Sequence, residues 1–276
     1  MSDYRTPDYA TLSGSMDILA WLHINKCPFT SNPCTIAART GNLTMLQWLR
    51  AHNCKINYTA YEQAAQHGQL RILQWLSDGG DPWFDAYFAS RGAAAGGHIH
   101  ILEWLRSLGH DRHWDQLLYE SAVQSGNIDV VKYLHVHGCP WDATYITVTA
   151  ADKGQFNMLK YAYEHGCRGN EVTCACATSS GNLEMLQWLR ERECPWDDRV
   201  CNSAARHGHI HILKWAHEHG CEWTKRTFSC ALEMRQITVL EYLLTHNCPR
   251  EVRRFTDYLL VLLATTNIML RSAWIV

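Results

Sequence analysis

Cysteine and histidine are the residues in this sequence whose types could do chemistry, because thiolates and imidazoles are common zinc ligands. The chain of 276 residues contains 12 Cys and 16 His. Cys167 is followed by Cys174 and Cys176. A second cluster comprises His207, His209, His211, His217, His219 and Cys221. A structural zinc site needs four such ligands in a tetrahedron, so the first question is what sets the spacing of these residues.

A short internal repeat, with a period of roughly 27–29 residues, sets most of that spacing. Each copy is marked by a glycine that precedes an apolar residue by two positions, here called the anchor glycine. The anchors are Gly14, Gly41, Gly68, Gly97, Gly126, Gly154, Gly181 and Gly208, with Arg235 in the ninth copy. An alanine lies four residues before all nine positions, from Ala10 to Ala231, and an aromatic residue lies seven residues after them. Because both columns recur in all nine copies, we predict that the fold is built from internal repeats.

Most of the cysteines belong to two columns of this repeat. The column thirteen positions after the anchor contains Cys27, Cys54, Cys139, Cys167, Cys194, Cys221 and Cys248. The column seven positions before it contains Cys34, Cys174 and Cys201. Free cysteine behaves as a small buried apolar residue, so we predict a packing role, with no metal and no cofactor.

One copy predicts two short helices. In residues 198–207, Asp197 or Asp198 is placed to cap the first helix, and Gly208 is placed to end it. Apolar residues from Ile210 to Trp215 follow the spacing of a second helix, which Gly220 ends. Histidines near the helix ends are predicted to cap carbonyl groups. They are His52, His67, His137, His165, His207, His219 and His246.

Two sets of aromatic residues recur, and both are interpreted as packing residues. The column seven residues after the anchor is predicted to be core: Trp21, Trp48, Trp75, Trp104, Tyr133, Tyr161, Trp188, Trp215 and Tyr242. A second set lies in the turns between copies and is predicted to pack there, partly exposed: Phe29, Trp83, Trp141, Trp196 and Trp223.

These copies resemble the ankyrin repeat. The run Ser203-Ala-Ala-Arg-His-Gly208 matches its A-A-x-x-G segment, and Gly138-Cys-Pro-Trp-Asp142 stands where the family has G-A-D-V-N. The copies are shorter than the family's repeat, which has about 33 residues, and they lack its T-P-L-H motif. The resemblance therefore implies an all-α, ankyrin-like solenoid of about nine helix–turn–helix repeats, with reduced or absent β-hairpin fingers. It covers residues 1–250 and leaves 251–276 as an atypical apolar C-terminal cap.

The resemblance implies a protein–protein interaction scaffold that binds through the first helices, which line the concave face in ankyrin proteins. The variable positions there lie six and two residues before the anchor. The expected contact residues are Arg39, Glu62, Gln66, Arg91, Glu120, Gln124, Asp152, Asn202 and Arg206. The Trp-rich copies also resemble ankyrin proteins of large DNA viruses. Alternatives are the substrate-recruiting part of a ubiquitin-ligase adaptor, although no F-box is visible, or a self-associating viral structural protein.

Charge and composition exclude several other classes. The net charge is −2, with Lys and Arg interspersed among Asp and Glu, whereas nucleic-acid binding needs a clustered basic excess. Every candidate Ser, His or Asp belongs to a repeat column, so we expect no enzyme. The N-terminus has no apolar signal segment, so we expect an intracellular location, either cytoplasmic or nuclear. We also expect a monomer that binds a protein partner.

The apolar segment 258–276 has three interpretations. It could seal the last copy as a cap, which we favour, or serve as a docking surface for a partner. A membrane tail anchor is the third, because the length approaches the roughly 20 residues that span a bilayer. Polar residues interrupt the segment at Thr265, Thr266, Asn267 and Arg271, so we expect no membrane insertion.

Overall fold

The structure is a computed structural model that describes residues 5–80 and 84–250, together with Leu263 and Thr266. Trp83 and nearly all of the predicted cap 251–276 lie outside the described residues. The chain divides into two compact units, Met1–Asp142 and Ala143–Val276. Each unit is built from successive helix pairs.

Each copy in the described ranges contributes two α-helices. Those of the first unit are α1 (Thr6–Leu12), α2 (Met16–Ile24), α3 (Asn32–Thr40), α4 (Leu43–Ala51), α5 (Tyr58–Gln66), α6 (Leu70–Trp75), α7 (Ala86–Gly96), α8 (Ile99–Ser107), α9 (Gln116–Ser125) and α10 (Ile128–Val136). Those of the second unit are α11 (Ala143–Asp152), α12 (Phe156–Glu164), α13 (Glu171–Ser179), α14 (Leu183–Glu191), α15 (Asp198–His207), α16 (Ile210–Glu218), α17 (Lys225–Glu233) and α18 (Ile237–Thr245). The described residues contain no β-strand. The predicted all-α repeat fold without β-hairpin fingers is confirmed.

The copy marked by Gly97 carries its two extra residues in the turn after the second helix, where Trp114 follows the anchor by 17 residues instead of 15. A π-helical turn, Leu76–Gly80, follows α6, and a 3₁₀ turn, Asp111–His113, follows α8. Insertions in turns leave the helix pairing intact.

The predicted helix ends of the copy 198–220 are confirmed. The Asp197 side chain accepts a hydrogen bond from the Arg199 backbone N–H at 3.0 Å, which caps α15. Gly208 ends that helix in the left-handed conformation, with φ 76°, which non-glycine residues adopt only at a cost. Gly220 follows the end of α16 in a similar conformation.

The core of each copy lies between its two helices. On second helices after α2, the residues four, five and eight positions after the anchor are buried; in α4 they are Met45, Leu46 and Leu49, all with no exposed area. On α2, Ile18 is 46% exposed. On first helices, the alanine column is buried in every copy. Helices this short are marginal alone, so they depend on this burial and on stacking against the next copy.

The prediction that the Trp column is core is wrong. Trp21 is 62% exposed, and only Tyr161 of the nine aromatics is buried. The physical reason is the helical period of about 3.6 residues. The aliphatic residues on either side of this column already fill the face toward the first helix, so the aromatic ring lies on the flank of the second helix.

The turn aromatics confirm their prediction where they are described. Phe29, Trp196 and Trp223 are half-buried and meet the aromatic column of the following copy. Trp196 contacts Trp215 edge-on, with ring centroids 5.9 Å apart. Trp114 belongs with this set, packing edge-on against Tyr133 at 6.0 Å. The insertion in its copy displaces it from the sequence column.

The predicted capping role of the histidines is confirmed for all seven. In each, Nδ1 lies 2.7–3.0 Å from the backbone carbonyl oxygen four residues earlier. A carbonyl can only accept, so Nδ1 carries the proton. Five of these rings also pack on the aromatic residue that supplies the carbonyl, as His52 does on Trp48 with centroids 3.9 Å apart. The histidine thus satisfies a helix-terminal carbonyl and covers a half-exposed aromatic ring.

The cysteine columns are buried, as predicted, apart from the half-buried Cys27. Within the described ranges, no three His, Cys, Asp or Glu side chains are arranged to hold a metal ion. None of the helices in those ranges is both long and apolar enough to cross a bilayer. The segment 258–276, for which the tail-anchor alternative was raised, is almost wholly outside them.

Candidate protein-binding surface on the first helices

First helices pack against one another within each unit, and small residues make this possible. In the first unit α3 packs on α5, α5 on α7 and α7 on α9. The closest approach is between α5 and α7. A Cβ atom added at Gly92 or Gly96 would collide with the backbone carbonyl of Glu62 or of Gln66, respectively. The backbone of α5 is therefore covered, and its longer side chains point elsewhere.

The outward side of each first helix carries three columns four residues apart. Sequence analysis identified the columns six and two residues before the anchor. The structure adds a third, ten residues before it, which contains Tyr58 on α5 and Tyr87 on α7. Residues at i, i+4 and i+8 share one helix face. These three columns together are called the first-helix face below.

In the first unit, the expected contact residues all retain exposed area. The half-exposed residues are Arg39, Glu62, Arg91 and Glu120, and the exposed ones are Gln66 and Gln124. Hydrogen bonds tie some of them to neighbours on the same helix: Gln63 Nε2 donates to Gln66 Oε1, and Gln116 Nε2 to Glu120 Oε1, each at 2.9 Å. Such exposed contacts cost little to break.

An aromatic patch lies on this face, formed by Tyr58, Phe88, Tyr87 and Arg91. The rings of Tyr58 and Phe88 are 4.6 Å apart, which joins α5 to α7. Tyr87 packs edge-on against Phe88 at 5.4 Å, and the Arg91 guanidinium lies 5.9 Å from the Tyr87 ring. Tyr58 nevertheless remains 53% exposed. Large apolar rings that stay in solvent beside an arginine are typical of binding surfaces.

Electrostatics within the patch are only partly satisfied. Burial, and next the nearby charge of Asp115, raise the pKa of the Tyr87 hydroxyl, while Arg91 acts in the opposite direction. The Nε atom of Arg91 is buried and has no hydrogen-bond partner. A buried donor without an acceptor costs free energy.

The second unit uses its first-helix face differently. Asp152 is exposed, but Asn202 is buried, only 7% exposed. Asn202 Nδ2 donates to Asp198 Oδ2 at 3.1 Å, and its Oδ1 accepts from the Thr227 hydroxyl at 2.7 Å. Asn202 therefore has little free surface for a partner, because Thr227 on α17 bonds the oxygen of its amide and Asp198 on its own helix bonds the nitrogen.

Arg206 is also engaged within the second unit. Its Nη2 lies 3.5 Å from Glu233 Oε2 and 3.6 Å from Cys230 Sγ, both on α17. The ion pair is largely exposed and contributes little to stability. This ion pair nevertheless occupies the Arg206 guanidinium, which the sequence predicts to contact a partner.

A column that sequence analysis missed connects successive copies. The residue after the anchor is Ser, Asn, Gln or His in all nine copies. The Asn side chains cap their own second helix, as Asn42 does for the Met45 backbone N–H. Four of the five longer ones reach the preceding copy instead, and we call these the bridging side chains: Gln69, His98, His209 and Gln236.

Each bridging side chain lies over the preceding anchor glycine. Gln236 Nε2 donates to the backbone carbonyl of Arg206 at 3.3 Å, and a Cβ added at Gly208 would collide with the Gln236 amide. The acceptor always lies two residues before the anchor. At that position the backbone carbonyl bonds the next copy, while the side chain belongs to the first-helix face.

Comparisons with known proteins add a likeness of fold. No protein-family model matches the sequence, and no curated protein matches it. Among solved structures, the chain is similar to the human ASB11 ankyrin repeat domain at 15% sequence identity, with a TM-score of 0.40. The alignment covers 84% of this chain and 97% of that domain.

Proposed function

We propose that this chain is a protein-interaction scaffold of the ankyrin-like type, and that it binds its partner through the first-helix face of the first unit. The single observation that carries the proposal is the aromatic patch, where Tyr58 remains 53% exposed although its ring contacts Phe88 in the cluster with Tyr87 and Arg91. Tyrosine and arginine are the residues that most often dominate the binding energy of protein interfaces.

The surroundings of the patch support contact with a folded or extended protein segment. Leu117 on α9 is 50% exposed, and Arg39, Glu62 and Glu120 supply charges of both signs around the rings. An apolar centre with a polar rim is the usual anatomy of an interface. The resemblance of the repeat to ankyrin sequences agrees with this role.

The second unit offers less to a partner at the equivalent positions. Asn202 and Arg206 bond to α17, so their side chains would have to leave existing partners before binding another protein. We therefore assign the principal contacts to Arg39, Glu62, Gln66, Arg91, Glu120 and Gln124, and a minor role to Asp152.

The proposal is tested by comparing three immobilised full-length baits in one cell extract. The first is the wild-type chain, and the second carries Tyr58→Ala, Glu62→Ala and Arg91→Ala. The third is a matched control with Ile24→Ala and Val136→Ala, which removes side chains that are 77% and 80% exposed on second helices. Proteins held by the first and third baits, but not by the second, are the candidate partners.

Affinity of a purified candidate then decides the matter. Losing two hot-spot residues costs about 3 kcal/mol or more, so the patch variant should bind at least about 100-fold more weakly than the control variant. All three baits should melt within about 2 °C of one another, since surface substitutions change stability little. Equal affinity of the patch variant and the control would refute the assignment.

A further inference from the structure

Three copies hold a pair of cysteines twenty positions apart, and each pair is buried. The pairs are Cys34 with Cys54, Cys174 with Cys194, and Cys201 with Cys221. The first member lies inside a first helix and has no exposed area; the second lies in the turn after the second helix and is 3–4% exposed. All six are thiols rather than disulfides.

The two cysteines of each pair are in direct contact. The Sγ atoms of Cys34 and Cys54 are 2.6 Å apart. In the other two pairs, the sulfur of Cys174 lies 4.0 Å and that of Cys201 3.7 Å from the carbonyl oxygen of the second cysteine. The repeat therefore brings two cysteines together at the same positions three times.

Other copies provide an internal comparison, because they have the second cysteine without the first. Cys139 lies beside Tyr119 and Cys248 beside Phe228, each at the position that holds cysteine in the paired copies. Burial raises the pKa of Cys139 to about 12 and that of Cys248 to about 11. In the paired copies, the hydrogen bond from the first thiol instead lowers the pKa of Cys54, Cys194 and Cys221.

We propose that each of these three pairs is a site of reversible intrachain disulfide formation, with a low-molecular-weight disulfide as the oxidant. The thiolate of the second cysteine attacks the disulfide, forms a mixed disulfide and releases one thiolate. The first cysteine then gives up its proton, attacks the sulfur of the second and releases the other small thiol. Two protein thiols are oxidised by two electrons, and one small disulfide is reduced to two thiols.

The geometry demands little movement. A disulfide needs an S–S length of about 2.05 Å, and the sulfurs of Cys34 and Cys54 are already in contact. The new bond would join a first helix to the end of its own copy, which leaves the packing between copies unchanged. The second cysteine is also the more accessible member, because it lies in a turn that can open locally. The first-helix face takes no part in this chemistry.

Peptide mapping of the full chain tests the proposal. The protein is incubated with oxidised glutathione at neutral pH, alkylated with N-ethylmaleimide, digested without reductant and analysed by mass spectrometry. We expect three linked peptide pairs, 34–54, 174–194 and 201–221, each lacking two hydrogens, with Cys139 and Cys248 alkylated. Alkylation of all six paired cysteines, or links that join Cys139 and Cys248 as often as the pairs, would overturn it.

Two variants provide the control. Cys54→Ser should remove only the 34–54 link, and the double variant Cys139→Ser, Cys248→Ser should retain all three. If Cys54→Ser does not fold, the wild-type map and the double variant still decide between the outcomes. Loss of the three links in the double variant would also overturn the proposal.

Discussion

The Nε2 atom of His98 lies 3.1 Å from the backbone carbonyl oxygen of Gln66, and this hydrogen bond joins two successive copies. His98 also lies over Gly68, where any Cβ would meet its imidazole ring. One side chain thus fixes the spacing of two copies and requires glycine at the anchor of the first.

Acid should destabilise the packing around His98, although the protonated ring can still donate this hydrogen bond. Burial lowers the pKa of His98, against the hydrogen bond to Gln66, which raises it; charges on His100 and His67 lower it further. The unfolded chain therefore takes up the proton more readily than the folded one. The contribution of His98 is present above its unfolded pKa of about 6.5 and is lost as the pH falls through the lower folded value.

We predict that His98→Gln reduces this acid sensitivity, since Gln69 and Gln236 make the equivalent bond without titrating. Urea unfolding at about pH 8 and about pH 5 measures the effect. The exposed His211, changed to Gln, is the control and should keep the wild-type dependence. An unchanged loss of stability in acid for His98→Gln would contradict the prediction.

The anchor glycines should be more sensitive than glycines that share only their conformation. Gly208 and Gly220 have φ values of 76° and 86°, but a Cβ would meet the Gln236 amide at the first and nothing within 4 Å at the second. We expect Gly220→Ala to cost about 1–2 kcal/mol from backbone strain alone. Gly208→Ala should cost at least about 1 kcal/mol more, through displacement of the bridging side chain. Denaturant unfolding of both variants measures this difference in free energy of unfolding. Equal losses in the two variants would contradict the prediction.

The exposure of the Trp column gives a prediction within one helix. On α2, Leu19 has no exposed area and Trp21 is 62% exposed. Leu19→Ala should cost about 2–5 kcal/mol through the cavity it leaves, whereas Trp21→Ala should cost less than about 1 kcal/mol. Thermal melting of the two variants measures which one loses more stability. A larger loss for Trp21→Ala would show that the aromatic column belongs to the core after all.

Asn202 should act as an internal link in the second unit. Asn202→Ala removes the acceptor of the buried Thr227 hydroxyl and should cost about 1–3 kcal/mol. The Thr227 hydroxyl also accepts from the Thr224 backbone N–H at 3.0 Å, so Thr227→Val should itself destabilise the unit. The double variant should cost less than the sum of the two single variants, because each removes the same Asn202–Thr227 bond. Double-mutant analysis of unfolding free energies gives the coupling. A partner-binding role would instead appear as weaker binding with unchanged stability.

The fold was predictable because it depends on columns that recur. The anchor glycines, the alanine column and the histidine caps each keep one physical role wherever they recur, so periodicity alone identifies them. The burial of the Trp column was mistaken because periodicity places a residue on a helix but does not show how much of it a neighbouring copy covers. Trp114 was missed because an insertion displaced it.

The candidate surface was harder to predict. Asn202 and Arg39 occupy comparable variable columns, yet only the structure shows that Thr227 on α17 and Asp198 on α15 bond the two ends of the Asn202 amide. The column after the anchor was not recognised because it contains four residue types with two different roles. Asn caps its own second helix, whereas Gln and His bond backbone carbonyls of the preceding copy. Because every residue has a backbone carbonyl, the sequence does not show which residue accepts such a bond.

That last property bears on how such a chain can evolve. Copies are joined through the carbonyls of Arg39, Gln66, Ser179 and Arg206, whose side chains are free to differ. A mutation that alters recognition at these positions leaves the junction intact, and a duplicated copy meets a neighbour that needs no matching substitution. Selection can therefore change what the surface binds, or how many copies it spans, without first redesigning the stack.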